Sequence, residues 1–381
     1  MKVCILSHCF PPAQGAAELY IGNLAEELAK IGLEIVVITN AFDAALPAFE
    51  KREIKIYRFA NRFPPSFHNF GFMFGLIPVL KKVYEKEKFN LLHSEHVFPV
   101  PKAGKFAEEN RIPHVAVIEG ISKISPYSKL VYLTHKFVLP RAHFDVLVAW
   151  SKFLSEEFLK KWGIEENKIR IIPGGIDTKK FNPFVDSKEL RNALADPNQK
   201  LIFTAKPLNY TNALGLAYVI KAMKEIVKEH DCKLLIGGDG RKRKDLEKLA
   251  RNLDLQKHVK FLGWIRQEKI PEYYAAADVV VDSIIYRHAG SVTVLESLAS
   301  GKPNVLCDIE CLPGENSFPS NDIAVLVKPR DEKDMARGII ALLEDEALGK
   351  KMGTNAWNFV KENFSMDKIA LQYKELYERL L

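Results

Sequence analysis

Residues 286–303 read YRHAGSVTVLESLASGKP and contain the carboxylate whose setting asks most for an explanation, Glu296. It falls among Val292, Val294, Leu295 and Leu298 in a stretch patterned as a helix, and an acid among so many apolar neighbours calls for a partner. A carboxylate so placed can accept hydrogen bonds from two vicinal hydroxyls of a ribose. Gly290, Ser291 and Val292 open the same helix, where unpaired amides would meet a diphosphate. His288 stands eight residues before the acid. The competing reading, a carboxylate turned to solvent, is weakened by the apolar company it keeps.

Two glycine-bearing loops add weaker signals. In ILSHCFPPAQGAAELYIGNLAEEL, Gly15 would let backbone pass close to a ligand ahead of a helix start. In LLIGGDGRKRKDLEKLA a strand ends at Gly237-Gly238-Asp239-Gly240 before the next helix, which suits a tight turn beside a ligand. Neither is a G-x-G-x-x-G fingerprint, so nothing favours a nicotinamide cofactor.

These residues need a frame. Short β-branched runs alternate with helical patterns along the chain: KVCIL, EIVVIT, IKIYRF, NLLHSE, HVAVIE and DVLVAWS, then, after residues 179–199, KLIFTAK, KLLIGGDG, VKFLGW, VVVDSI, PNVLCD and IAVLVKP. Apolar strands alternating with helices predict an α/β protein with parallel sheets covered on both faces. The restart of the pattern predicts two doubly wound domains, 1–185 and 186–359. Ligands in such sheets bind beyond the carboxyl ends of the strands, which places the expected site in the crevice where the domains face each other.

At 381 residues, 47% hydrophobic and 27% charged, the composition suits two globular domains. No apolar run spans a bilayer, and MKVCILSHCFPP reads as a first buried strand rather than a signal peptide. The odd count of 5 cysteines, without a C-x-x-C pair, fits a reducing cytoplasm and argues against a structural zinc site. Residues 1–185 carry 25 Lys+Arg against 19 Asp+Glu, most of the chain's net +7. A basic first half suits a phosphorylated ligand or an anionic membrane surface. No nucleic-acid module is present. Phe59, Phe63, Phe67, Phe70, Phe72 and Phe74, flanked by Arg58, Arg62, Lys81 and Lys82, fit either a segment resting on anionic lipid or an aromatic core.

Nine stretches in order, among them FPPAQGAAE, IPHVAVIEG, IIPGGIDTKKFNP, YYAAADVVVDS and VLESLASGKPNV, resemble glycosyltransferase family 4 over nearly the full length. The resemblance implies the GT-B architecture of two facing Rossmann-like domains, with a last helix, about 360–381, crossing back onto the first. It implies a retaining transfer from a nucleotide-diphosphate sugar held mainly by the second domain to a sugar or lipid-linked acceptor at the first. No metal or other cofactor is implied. The enzyme would be cytoplasmic, with peripheral attachment to the inner face of the membrane.

Several site positions depart from the family pattern. His288 replaces the first acid of an E-x7-E pair whose second member is Glu296, and Glu119 replaces a histidine expected after the strand HVAVI. Lys206 replaces an arginine, and Thr211 or Asn212 stands where a second cation is expected. If the two positions face each other across the crevice, a carboxylate–imidazole pair is kept with its members exchanged, which assigns Glu119 and His288 to catalysis; the rival reading is coincidence. The resemblance assigns Gly15, Lys206, Thr211, Asn212, Gly238, Gly290, Ser291, Val292 and Glu296 to the donor. The altered phosphate clamp leaves a rival reading, a non-catalytic relative that binds a nucleotide or sugar.

Overall fold

The computed structural model describes all residues except 14–15, 42, 44–45, 61–67, 122–125, 288–289 and 315–318, together with the side chains of 16–17, 68–70, 126–128 and 130–131. Gly15 and His288 lie outside the described residues, as do Arg62, Phe63, Phe67 and the Phe70 side chain. The chain forms two compact units: unit 1 holds Met1–Gly175, Pro313, Gly314 and Met366–Leu381, and unit 2 holds Ile176–Leu312 and the residues up to Ser365.

Unit 1 is an eight-stranded sheet in the order β3-β4-β2-β1-β5-β6-β7-β8. Its strands are β1 (Lys2–Leu6), β2 (Glu34–Ala41), β3 (Phe49–Lys51), β4 (Lys55–Ala60), β5 (Leu91–Glu95), β6 (His114–Ile118), β7 (Val146–Ala149) and β8 (Ile169–Ile171). All pair in parallel except the edge strand β3. Helices α1 (Ala16–Lys30), α2 (His68–Glu87), α3 (Val100–Asn110), α4 (Pro126–Val138) and the short α5 (Lys152–Leu154) belong to it. Unit 2 is a wholly parallel sheet, β11-β10-β9-β12-β13-β14, of β9 (Lys200–Ala205), β10 (Cys232–Gly237), β11 (Val259–Gly263), β12 (Val279–Val281), β13 (Asn304–Cys307) and β14 (Val325–Val327). It carries α6 (Lys188–Leu194), α7 (Tyr210–Ile226), α8 (Arg243–Asn252), α9 (Ile270–Ala276), α10 (Val292–Ala299), α11 (Glu332–Glu344) and α12 (Glu346–Asn363). The chain then returns to unit 1 with α13 (Met366–Leu380), which packs on α1.

The strands are continuously apolar because both faces are covered. In β9, Ile202 enters one buried cluster with Val219 and Ile339, while Leu201 and Phe203 enter the other with Tyr274 and Leu298. That is the period-two alternation of a strand serving two cores. In each unit the strand order reverses beside one strand, β1 between β2 and β5, and β9 between β10 and β12. The carboxyl ends there leave the crevice in which doubly wound sheets hold ligands.

The aromatic stretch divides. Phe72 is 0% exposed and stacks on Phe59 at 5.4 Å; burying such a ring is worth about 1.5–3 kcal/mol, so it belongs to the core. Phe74 is exposed, and Arg58 is buried with Glu50 at 2.9 Å. Among the described residues no helix is long and apolar enough to cross a membrane.

Gly215 of α7 brings that helix onto the loop after β12: a Cβ would lie 1.7 Å from the Ser283 carbonyl oxygen. Gly215→Ala is expected to lower the stability of unit 2 by roughly 3 kcal/mol, since overpacking a tight contact forces backbone movement. Thermal unfolding checks this; an unchanged melting temperature would mean that the helix and loop separate freely.

Candidate functional site

Unit 2 gathers polar residues at the ends of β9 and β12. Lys206 follows β9 directly and is 6% exposed. Its Nζ lies 2.8 Å from Asp282 Oδ2 and donates to Thr293 Oγ1 at 3.0 Å. The Thr293 hydroxyl donates to Asp282 Oδ2 at 3.2 Å and lies 2.9 Å from Ser291 Oγ, while Asp282 Oδ1 accepts from the Ile284 amide at 3.0 Å. Both charges of the pair are thus buried and bonded. Such a pair adds little net stability, but removing one member strands the other.

Helix α10 begins above this network. Its N-cap, Ser291, makes no side-chain cap hydrogen bond, because its hydroxyl turns to Thr293. The first backbone amides are left uncapped at the positive end of the helix, where an anion is favoured. Gly290 precedes it at φ 122° and Gly238 sits at φ 121°, values that favour glycine. Gly238 also needs its bareness, since a Cβ would meet the Lys206 carbonyl oxygen at 2.0 Å.

Glu296 is 5% exposed. Its Oε1 accepts from Gln267 Nε2 at 2.9 Å and its Oε2 from the Tyr274 hydroxyl at 3.4 Å. Burial pushes its carboxyl from 4.5 up to about 7, against the Gln267 bond and the charges of Lys180 and Lys206. Thr211 and Asn212 open α7. Asn212 donates from Nδ2 to the Pro207 carbonyl at 2.8 Å, and its amide is capped by Asn209 at 2.9 Å. Asn212 thereby braces the loop, and neither residue supplies a second cation.

Unit 1 has its own cluster at the ends of β1, β5 and β6. Glu119, just past β6, has its Oε1 3.7 Å from His96 Nε2. Burial raises the Glu119 carboxyl to about 7; His96 opposes the shift, while Glu95 and Glu18 add to it. Glu95 is 0% exposed and accepts from His93 Nε2 at 2.8 Å. The Tyr377 hydroxyl of α13 donates to His93 Nδ1. His96, from the same unit, thus sets an imidazole beside Glu119.

Models of two families match the chain. Glycosyltransferase Family 4 matches residues 17–180, and Glycosyl transferases group 1 matches residues 186–359. The chain belongs to glycosyltransferase family 4. An uncharacterized glycosyltransferase of Methanocaldococcus jannaschii is 27% identical over 99% of this chain and 98% of its own length. N-acetyl-alpha-D-glucosaminyl L-malate synthase of Bacillus anthracis is 25% identical over 100% of this chain and 98% of its own length. An Anabaena protein, HepE, solved in complex with UDP, superposes with a TM-score of 0.79 at 20% identity, covering 100% of both chains. The fold is GT-B.

Within this family 4 chain, the structure brings Lys206, Gly238, Gly290, Ser291, Val292 and Glu296 to one edge of the unit 2 sheet. Asp282, Thr293, Gln267 and Tyr274 join them without having been singled out. Only Asp282 carried a signal, as an acid inside the apolar run VVVDSI. His96 and Glu95 were likewise passed over, and their signal, polar residues closing the run NLLHSEH, is faint.

Proposed function

We propose that this chain transfers a glycosyl group, with retention at the anomeric carbon, from a nucleotide-diphosphate sugar to a sugar or lipid-linked acceptor. The observation that carries the reading is the burial of Glu296 behind the uncapped start of α10, next to Lys206. Glu296 would accept from the ribose hydroxyls, and the α10 amides with Lys206 would hold the diphosphate as its negative charge grows on bond cleavage. On the unit 2 side the leaving group is held by these donors, without a metal ion or other cofactor. Glu119 of unit 1 and His288 would serve catalysis at the transferred sugar. The Bacillus anthracis relative, a glucosaminyl malate synthase by name, and the UDP complex of HepE support this donor class.

The exposed Lys81 and Lys82 and the exposed Phe74 ring near them in sequence favour an acceptor at an anionic membrane surface, met from the cytoplasm. One observation favours a second reading, a binding protein without turnover: Asp282 already neutralises Lys206. Incubation with UDP-, GDP- and ADP-sugars and candidate acceptors separates the two. Transfer, with the product's anomeric configuration read by NMR, supports the enzyme. A melting temperature raised by nucleotides with no transfer or donor hydrolysis supports the binding protein.

A further inference from the structure

The crevice at the strand-order reversal of unit 1 gathers negative charge, and among the described residues no lysine or arginine pairs with it. Glu95 at the end of β5 and Glu119 just past the adjacent β6 bring two carboxylates to this place. Glu119 Oε1 and Glu95 Oε2 are buried and have no hydrogen-bond donor among the described residues. Glu95 pairs with His93 and Glu119 with His96; among the described residues neither forms an ion pair with a lysine or arginine. Burying uncompensated carboxylate oxygens is expensive.

Beside them stand three side chains of a different chemistry. His8 and Cys9 follow β1, and His96 follows β5. One ligand atom from each lies within 4.8 Å of the other two. The rings of His8 and His96 meet edge-on at 4.7 Å. His96 reaches this place through a left-handed backbone, φ 63°, a conformation of the kind that gathers at binding sites. The His8–Cys9 loop is pinned: Ser7 Oγ donates to the Cys9 carbonyl at 2.6 Å and Asn40 Nδ2 to the His8 carbonyl at 2.9 Å.

We infer that His8, Cys9 and His96 form a site for a divalent transition metal of the zinc class, with Glu119 beside its fourth position. Two imidazoles and a thiolate are donors for zinc, and three protein ligands with one open position describe a zinc ion that can take a further oxygen. Tetrahedral zinc sets ligand atoms roughly 3.3–3.8 Å apart, so side-chain rotations on the order of 1 Å would close the present spacing. Binding displaces the Cys9 thiol proton to solvent, leaving thiolate on the metal. The ion supplies the positive charge that Glu119 and Glu95 lack, and the Tyr377–His93–Glu95 chain steadies the carboxylates around it. This departs from the expectation of no metal, because the ligands come from separate strand ends and share no sequence motif. It stands independently of the transferase reading, since metal uptake is measured without turnover.

The test uses the full chain, freed of metal, with zinc and cobalt(II) as probes. Expected are uptake of about one zinc per chain with a dissociation constant below about 1 µM, and a raised melting temperature. Cobalt should give a strong near-ultraviolet thiolate band that Cys9→Ser removes. His8→Ala and His96→Ala should each weaken zinc binding at least about tenfold, with His96→Gln replacing His96→Ala if that variant does not fold. His230→Ala is the control, because Glu229, His230 and Glu344 make a second cluster, with both acids exposed, in unit 2. Substoichiometric uptake, a cobalt complex without the thiolate band, or binding lost in His230→Ala and kept in Cys9→Ser would each overturn the site.

Discussion

Lys206→Met should cost unit 2 about 3–5 kcal/mol, the typical penalty of leaving one member of a buried ion pair unmatched. Asp282 is shut away from bulk solvent: its side chain, like that of Lys206, is 5% exposed, and the Thr293 hydroxyl and Ile284 amide that remain are neutral donors. Removing both charges together, in Lys206→Met with Asp282→Leu, should recover most of the loss. Hydrogen exchange in β9 and β12 reads this locally, which matters because a chain of two units need not unfold in one step. Equal losses in the single and double variants would show that the pair is not the source. The converse substitution, Asp282→Asn, releases the lysine charge and should tighten nucleoside diphosphate binding about tenfold, a gain of roughly 1.4 kcal/mol. Unchanged affinity would remove Lys206 from the phosphate site.

Glu296→Gln should separate stability from binding. The folded protein holds the Glu296 proton more tightly than the unfolded chain does, since burial raises the carboxyl from 4.5 to about 7. Between those values the native state binds more protons than the unfolded one, so stability is full below about pH 4.5, falls as pH rises through about 7, and is level above. The size of the fall is on the order of 3 kcal/mol. Glutamine never ionises, so the variant should lack that slope and be the more stable protein at pH 8. Its nucleotide binding should fail by roughly 10–100-fold, because hydroxyls bond more strongly to a charged acceptor, by about 1.5–3 kcal/mol. In the parent, nucleotide affinity should climb with pH up to about 7, as the ligand stabilises the ionised carboxylate. Calorimetric titration across pH 5.5–8.5 decides it; identical profiles for parent and variant would exclude Glu296 from the contact.

The sheets were legible because strands buried on two faces must be apolar throughout, and β9 shows it, feeding one cluster through Ile202 and the other through Leu201 and Phe203. Glu296 was legible for the converse reason, a charge with no solvent in reach. The expected boundary at 185 agrees with the start of the group 1 match at 186, while the compact units change earlier. Ile176 bonds the Phe364 carbonyl at 2.8 Å and packs with Phe181 in the unit 2 core, so the chain changes unit at Gly175–Ile176. Sequence alone does not show this change, because the contacts that anchor the run after it are distant in sequence. Of the unit 1 cluster only Glu119 is legible in the sequence: His8, Cys9 and His96 share no periodicity with it and converge only when β1, β5 and β6 lie side by side. The expectation that Lys206 meets phosphate rests on its place in the family pattern, and nothing in TAKPLNY announces that Asp282 holds it.

The helix α13 has a consequence for how the protein is made. Tyr373 and Tyr377 lie fully buried in unit 1, the latter bonded to His93, although every residue of unit 2 is translated before them. Nascent chains usually fold the domain that leaves the ribosome first. Here the earlier-translated half waits, its interior unsealed, while the later half emerges and completes its own core. Premature termination just short of residue 366 would therefore release a chain whose damage lies at its beginning.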